Sequence, residues 1–420
     1  MSYRDIDQAI VNDIRVFDFF AQKVWPHIRN FFRGVVARRC KQCVISSKVP
    51  GVTLNSDGVC NLCEQHAKRV QNGEEKGWHD KYLAYQRREL DTLLKTYQGK
   101  GRGRYDAVVL FSGGKDSVYM LSRIRKEYPG LRLLLMTWNN GFYSKVALDK
   151  TKEIAAKLDL DHIVYKPVSS VYKTLYRYTL QHVGKKGSYQ TVDRLDGSLN
   201  QFLGMDFAYE WDIPLVLAGV DFAQELIMQF HAHFEMPYED MCSRTLTDRM
   251  ERRSGFKIAE IFCPESQALF WDGTNKDRTR IPRYILPLVA WRPDKTEVQG
   301  ELSLSGLLPK RDSSPVLTNN QVLSVMTALD IQEIGYCSFE PEFSKMIRFR
   351  ENDPVYWLNT FEFVEFLVRK RLFVTRICGK VLQKLDLTAE QLGLKTRWSW
   401  RERLGVAGQT LPVIRETRHA

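Results

Sequence analysis

Between the apolar run Ala107-Val108-Val109-Leu110-Phe111 and an amphipathic stretch from Ser117 to Lys126 lies Ser112-Gly113-Gly114-Lys115-Asp116-Ser117. A short apolar run that ends in glycines reads as a buried strand, and the amphipathic stretch beyond the glycines reads as a helix. A glycine turn feeding a strand directly into a helix aims backbone amides and the positive helix end at one point, which makes an anion site. Two glycines let the backbone approach closely, two serines offer hydroxyls, and Lys115 adds a full charge. The segment therefore predicts a nucleotide phosphate loop. It has neither the longer glycine spacing of the Walker loop nor the alternating glycines of the dinucleotide fingerprint.

The remainder of the chain predicts the domain carrying this loop. Apolar runs at Leu131–Trp138, His162–Lys166 and Ile213–Gly219 alternate with helical patterns, among them Ala147–Leu158 and Met205–Trp211. Such alternation implies an α/β fold with a parallel sheet and helices on both faces, and ligands gather at the carboxyl ends of its strands. Just past the last run stands Gly219-Val220-Asp221-Phe222-Ala223-Gln224-Glu225. Asp221 and Glu225 are four apart, so on a helix they share a face and could hold Mg2+ or orient a nucleophile; a solvated acidic face is the alternative.

Four of the eight cysteines form two pairs, Cys40-x2-Cys43 and Cys60-x2-Cys63, with sixteen residues between the pairs. Paired thiolate knuckles at this spacing suit a structural, tetrahedral Zn2+, with an iron-sulfur cluster as the alternative. A chain of 420 residues is long enough for two or three domains. Texture divides it into an N-terminal helical segment (1–39), a zinc-ribbon-like module holding the four clustered cysteines (40–66), a helical linker (67–104), the α/β domain (105–300) and a mainly helical C-terminal region (301–420). No apolar run approaches the roughly 20 residues of a membrane span, and Met1-Ser2-Tyr3-Arg4 does not begin a signal peptide, so a cytoplasmic location is expected.

The segment 1–39 sets Phe17, Phe20, Val24, Ile28, Phe31 and Phe32 among Lys23, Arg29, Arg33, Arg38 and Arg39, with Pro26 as a kink. A basic aromatic helix of this kind either makes peripheral contact with an anionic membrane or packs on its own domain. The net charge of +12 favours an anionic partner without choosing among nucleotide, nucleotide sugar, RNA and lipid headgroup. His231-Ala232-His233 offers two nitrogen donors with no third ligand that can be placed, and Arg244 and Arg249 are further candidates for substrate binding.

The hexapeptide Ser112–Ser117 resembles the signature loop of the PP-loop ATP pyrophosphatases. That resemblance implies that Ser112, Gly113, Gly114 and Ser117 cradle the departing pyrophosphate of ATP. Lys115 would neutralise developing charge and Asp116 would assist through Mg2+ or water. It also implies that the segment after Leu217, with Asp221 and Glu225, closes the site. Met136 and Thr137, at the end of the second strand, would line the adenine pocket.

The text around the cysteines, Cys40-Lys41-Gln42-Cys43-Val44, Val49-Pro50-Gly51-Val52 and Asp57-Gly58-Val59-Cys60-Asn61-Leu62-Cys63, is similar to that of the N-acetyl sugar amidotransferase family of lipopolysaccharide and surface-glycan pathways. The similarity covers roughly residues 40 to 300. It implies adenylation of an acetamido oxygen on a nucleotide-linked sugar, followed by replacement with nitrogen. Ammonia would come from a separate glutaminase subunit through an ammonia-conduit partner. The N-terminal 39 residues and the tail after 300 depart from that pattern.

Two other readings compete. A sulfurtransferase of the same superfamily would act on a tRNA base or a small-molecule amide, and the basic surplus leaves nucleic acid open as a partner, although no RNA-binding module is visible. A non-catalytic nucleotide-binding adaptor is the third reading, against which the intact Lys115 and Asp116 stand.

Overall fold

The computed structural model describes residues 3–72, 77–221, 233–293, 295–307, 315–316, 320–349 and 353–396. Five strands among these form one wholly parallel sheet: β1 (Ala107–Leu110), β2 (Leu133–Trp138), β3 (His162–Tyr165), β4 (Leu215–Ala218) and β5 (Arg283–Ile285). Their order is β3-β2-β1-β4-β5, with Val108 in register with Leu134 on one side and Val216 on the other. β2 and β4 are buried along their whole length, which is why they read as unbroken apolar runs instead of alternating ones. The α/β class expected from the sequence is the observed one. β5 is an addition, since three residues are too short to show a period.

Chain order and spatial order diverge at β1. From β1 the chain moves outward through the helix Lys115–Glu127 to β2, and through Lys145–Lys157 to β3; it then returns by way of Arg194–Glu210 to place β4 on the other side of β1. The gap between β1 and β4 is the topological switch point, where an open α/β sheet forms its ligand crevice. The returning helix begins well before the stretch Met205–Trp211 that marks it in the sequence. A π-helical turn, Tyr189–Asp193, runs directly into it.

The start of β1 is fixed by a buried carboxylate. Asp106 accepts hydrogen bonds from the backbone amides of Gly99, Gly101 and Arg132 and from the Arg132 guanidinium at 2.6 Å. Burial alone would raise its pKa, but these donors outweigh burial and bring the carboxyl down to about 2. The glycine-rich stretch 99–103, which reads as a linker, is thus tied to the sheet.

The two ends of the chain pack on each other. The helix Tyr3–Phe19 continues through a π-helical turn, Phe20–Val24, into Trp25–Ile28, where Pro26 occupies the first turn and so costs no helical hydrogen bond. Trp25 is fully buried, donates its indole N–H to Glu362 at 2.9 Å and packs on Phe363 and Phe366 of the helix Pro354–Arg369. Of the two alternatives for the N-terminal segment, packing on its own chain accounts for this face. Phe19, Phe20 and Phe31 remain exposed.

Arg39, one residue before the first cysteine, ties the four-cysteine module to the C-terminal helices. It reaches Glu340 at 2.7 Å and Glu365 at 2.8 Å, all three side chains being essentially buried. The carboxylates are further held by the amides of Ser46 and Ala37 and by Arg369. Breaking a buried pair from one side leaves the other charge stranded, which costs more than the pair itself contributes. Arg39→Met is therefore expected to lower stability by about 3 to 5 kcal/mol in urea unfolding. Adding Glu340→Gln and Glu365→Gln to the same chain should recover part of that loss.

Candidate functional site

The loop Ser112–Ser117 leaves β1 at the switch point. Gly113 takes a left-handed φ of +70°, and a Cβ there would lie 2.8 Å from the Thr151 methyl, so both the turn and the space require glycine. Ser112 and Ser117 hydroxyls stand 3.2 Å apart, the Gly114 amide donates to Ser112 Oγ at 3.3 Å, and Ser117 Oγ donates to the Gly114 carbonyl at 3.1 Å. Gly114 caps the helix Lys115–Glu127. Backbone amides, two hydroxyls and a helix N-terminus therefore converge as the sequence predicts. Lys115 Nζ lies 3.9 Å from Asp116 Oδ1, and burial pushes the Asp116 carboxyl up while Lys115 draws it back.

Two contacts hold this loop in place. Thr137 Oγ1 donates to the Phe111 carbonyl at 2.6 Å and lies 2.8 Å from His162 Nε2. With the threonine proton committed to the carbonyl, His162 must donate through Nε2, an assignment made from the bonding pattern. Burial, aided by Lys152, lowers the His162 pKa, which fits a neutral ring. On the other flank Gly219 follows β4, and a Cβ there would stand 2.9 Å from Ser117 Cα, so only glycine lets the two turns touch. Asp221 stands two residues later. Glu225 and His231 lie outside the described residues, and with them the shared face expected for Asp221 and Glu225.

Above the strand ends opens a cavity of about 310 Å3, lined by Ser112 and Ser117, by Met136, Thr137 and Trp138 of β2, and by Ala218 and Gly219. Met136 and Thr137 thus stand on the wall that the sequence assigns to them, and Thr137 also positions the loop. Trp138 has a buried indole N–H with no partner among the described residues. A buried donor left unpaired marks a place for a ligand or water.

The far wall is not among the sequence expectations. It is built from Tyr189, Asp193, Arg194, Gly197, Ser198 and Gln201, on the π-helical turn and the first turns of the returning helix. Positions 193, 197 and 201 are four apart and small or polar, whereas Leu195, Leu199 and Phe202 of the same helix are buried. That stripe is the signal present in the sequence. The π-helical turn is a second mark, since such turns collect at functional sites. Asp193 is a strongly perturbed group on this wall: burial first, then the neighbouring carboxylates of Asp196 and Glu342, push it up to about 8, against the pull of Arg194. Burial likewise raises Asp196 to about 6, although hydrogen bonds from Tyr176, Asn140 and Asn320 oppose the rise.

The four clustered cysteines are buried and converge. Cys40 and Cys63 sulfurs are 3.8 Å apart, Cys43 and Cys60 sulfurs 3.5 Å, and all four lie within 4.8 Å of one another. Four thiolates bonded at about 2.3 Å to one tetrahedral ion stand roughly 3.8 Å apart, so this is a metal site sized for one ion. The amides of Cys60 and Cys63 donate to Cys40 and Cys60 sulfurs, and Ser344 Oγ donates to Cys43 Sγ at 3.1 Å. Such donors stabilise thiolates and orient the ligands. The other candidates sit apart: His233 Nδ1 is engaged with Glu235, and Arg244 pairs with Asp248 at 3.0 Å.

The sheet order and the loop at its switch point fit one arrangement. It is the α/β arrangement that the resemblance to the PP-loop ATP pyrophosphatases implies. No protein-family model matches the chain. An uncharacterized protein of Methanocaldococcus jannaschii is 25% identical over 128 residues, which make up 30% of this chain and 42% of that protein. The match thus spans less than half of that relative. Among solved structures, the U34-tRNA thiolase NcsA from Methanococcus maripaludis with its [4Fe-4S] cluster overlaps 84% of this chain and 91% of its own. Its identity is 12% and its TM-score 0.31, too distant a likeness to bear on chemistry. The resemblance to the N-acetyl sugar amidotransferase family stands on the motifs alone.

The raised Asp193 carboxyl sets a pH dependence. Between its ordinary value of 3.8 and about 8 the folded protein keeps a proton that the unfolded chain has lost, so this group makes stability fall as pH rises through that window. Asp193→Asn, neutral throughout, should give a visibly flatter decline of the unfolding midpoint from about pH 5 to about pH 8 than the wild type. Parallel curves would show that Asp193 is ionised in the folded state.

Proposed function

We propose that this protein is an ATP-dependent enzyme that adenylates an amide oxygen and replaces it with nitrogen from ammonia, releasing AMP and pyrophosphate. The observation that carries the reading is the Ser-Gly-Gly-Lys-Asp-Ser loop at the β1/β4 switch point, opening into a cavity walled by the end of β2. A cradle that grips the β and γ phosphates leaves the α phosphorus open to attack. The amide oxygen forms a bond to that phosphorus and the bond to pyrophosphate breaks. Ammonia then adds to the amide carbon, loses a proton, and AMP departs carrying the former amide oxygen, which leaves an amidine.

Within this scheme Ser112, Ser117 and the amides of Gly113 and Gly114 hold the pyrophosphate, and Lys115 neutralises its charge. Asp116 and Asp221 are the described carboxylates that would hold Mg2+. The acceptor is an N-acetylated, nucleotide-linked sugar, as the cysteine-flanking motifs imply. Ammonia comes from a separate glutaminase, delivered through a conduit subunit.

Sulfur transfer is the competing reading, and the cysteines weigh against it. None of the eight lines the nucleotide cavity. Cys337 borders a neighbouring apolar cavity, but burial and then Asp330 and Glu340 push its thiol well up, which suits packing and not nucleophilic attack. Product analysis separates the two. Incubation with ATP, an ammonium salt and UDP-N-acetylglucosamine should give AMP, pyrophosphate and a sugar in which NH replaces O, and Asp116→Ala should lower AMP release by about 100-fold or more while the chain stays folded. ADP and phosphate as products would remove the adenylation scheme, and turnover with sulfide but not ammonia would establish the thioamide reading.

Cys40, Cys43, Cys60 and Cys63 hold a structural Zn2+ in this proposal, because their sulfurs enclose one ion and leave no space for a cluster of several. Metal analysis of the purified protein should find about one zinc per chain, and Cys60→Ser should lose both the metal and much of the thermal stability. Iron with visible absorbance would instead identify a cluster.

A further inference from the structure

The N-terminal helical segment has two faces, and packing on the C-terminal helices accounts for one of them. From Tyr3 to Phe32 the chain is helical throughout, by way of the π-helical turn Phe20–Val24 and the 3₁₀ turn Arg29–Phe32. Ile10, Phe17, Ala21 and Trp25 are buried against the rest of the chain. On the other side Val16, Phe19, Phe20 and Lys23, spaced as neighbours on one helical face, are all exposed. The exposed line continues at steps of four through His27 to Phe31.

Single exposed apolar side chains are ordinary, but a run of them on one segment is not. Val16 is 50% exposed, Phe19 58%, Phe20 44% and Phe31 83%. The Phe19 and Phe20 rings meet edge to face at 5.8 Å, so each is the other's partial cover. Phenylalanine has no polar tip to turn toward water, and these rings stay in it only at a cost.

Charge is sorted between the same two faces. Asp7 pairs with Lys384 at 2.7 Å, Asp13 pairs with Lys380, and Asp18 accepts from the Tyr356 hydroxyl at 2.8 Å, so these three carboxylates all turn toward the C-terminal helices. Arg29 turns the same way, to Glu362 at 3.3 Å. Lys23, Arg33 and Arg38 are exposed and pair with no carboxylate among the described residues; Arg33 donates instead to the neutral side chain of Asn30 at 3.0 Å. The outer face thus joins rings to cations without an acid of its own segment beside them. A second copy of the chain docked there about a two-fold axis would set this face against itself, cation against cation. An anionic bilayer supplies both complements at once, phosphates for the cations and an acyl boundary for the rings.

We propose that the outer face of this segment docks the protein on an anionic membrane surface, with Phe19, Phe20 and Phe31 entering the headgroup region and Lys23, Arg33 and Arg38 on lipid phosphates. No helix among the described residues is long and apolar enough to cross a membrane, so the contact is a peripheral one. The inner face of the same helix borders, through Ile14 and Phe17, a second cavity of about 330 Å3 that shares Asp193 with the nucleotide cavity. The docked surface therefore lies about one helix diameter, roughly 10 to 12 Å, from that cavity. No step of the adenylation scheme enters this proposal, and the two stand or fall separately.

Co-sedimentation of the full chain with vesicles tests the assignment. The wild type should bind phosphatidylcholine vesicles that contain about 30% phosphatidylglycerol and not vesicles of phosphatidylcholine alone, and about 0.5 M salt should release most of it. Phe19→Ser combined with Phe20→Ser should lower the partition coefficient by about tenfold or more, and Lys23→Gln combined with Arg33→Gln by a similar factor. All four side chains are exposed, so both variants should keep the thermal unfolding midpoint of the wild type to within about 2 °C, which reports that they are folded. No binding to the anionic vesicles, equal binding to the neutral ones, or unchanged binding by both variants would overturn the proposal. A wild type that fails to bind vesicles but is a dimer by light scattering, and that Phe19→Ser with Phe20→Ser converts to a monomer, would assign the face to a second copy of the chain instead.

Discussion

The contact on which the site depends is the approach of two turns, Gly219 after β4 and Ser117 after β1, close enough that no side chain fits at Gly219. Parallel pairing of β1 with β4 in register brings the turns together, and the divergence of the chain at this point keeps a crossover from covering them. Everything that a phosphate loop needs comes from that geometry. The helix Lys115–Glu127 points its amino end at the opening, the serine hydroxyls face each other, and Thr137 of β2 grips the carbonyl that precedes the loop. A loop of identical sequence at a sheet edge would have the same amides but no walls.

Those walls come from distant parts of the chain. The helix that returns from β3 to β4 is longer than the crossover alone requires, and its first turns overhang the strand ends. The C-terminal helices then brace that overhang from behind: Asp330 accepts hydrogen bonds from the Ser188 amide and hydroxyl at 2.8 Å, and Ser338 Oγ accepts from the Tyr189 amide at 2.9 Å. The same C-terminal helices bind the four-cysteine module through Arg39, Ser344 and the ring of Phe349 against His66. The four-cysteine module is thus joined to the same helices that support the far wall, although it is distant from the Ser112–Ser117 loop in sequence. The described helices after residue 300, which in sequence look like an appendage, are structurally the back of the cavity.

How legible each feature is in the sequence depends on how local it is. Ser112–Ser117 is six consecutive residues between a strand and a helix, and the cysteine knuckles are short turns with fixed spacing, so both can be read without knowing the fold. β1, β2 and β4 are apolar runs because both faces of the sheet are covered there, and they too stand out, whereas β3 at the edge is only half-buried. β5 does not, since Arg283–Ile285 becomes a strand only through pairing with β4. Asp193 and Arg194 are equally hidden. In sequence they are a charged pair on a helix, which is ordinarily a solvated face, and only the packing of Thr245–Ser254 and the C-terminal helices turns that face inward. Asp221 is legible as a post-strand carboxylate, whereas its expected partner Glu225 lies outside the described residues.

The two ends of the cavity obey opposite electrostatic logic. At the loop, positive potential comes mainly from backbone amides and a helix end, partial charges whose direction is fixed by the fold and which need no counterion while the site is empty. At the far wall it comes from the whole guanidinium charge of Arg194, set over the Tyr189 ring beside Asp193, whose carboxyl burial pushes up. A carboxyl whose pKa is raised by burial, set beside a guanidinium on a cavity wall, is the kind of group that collects at functional sites more often than on solvated helix faces.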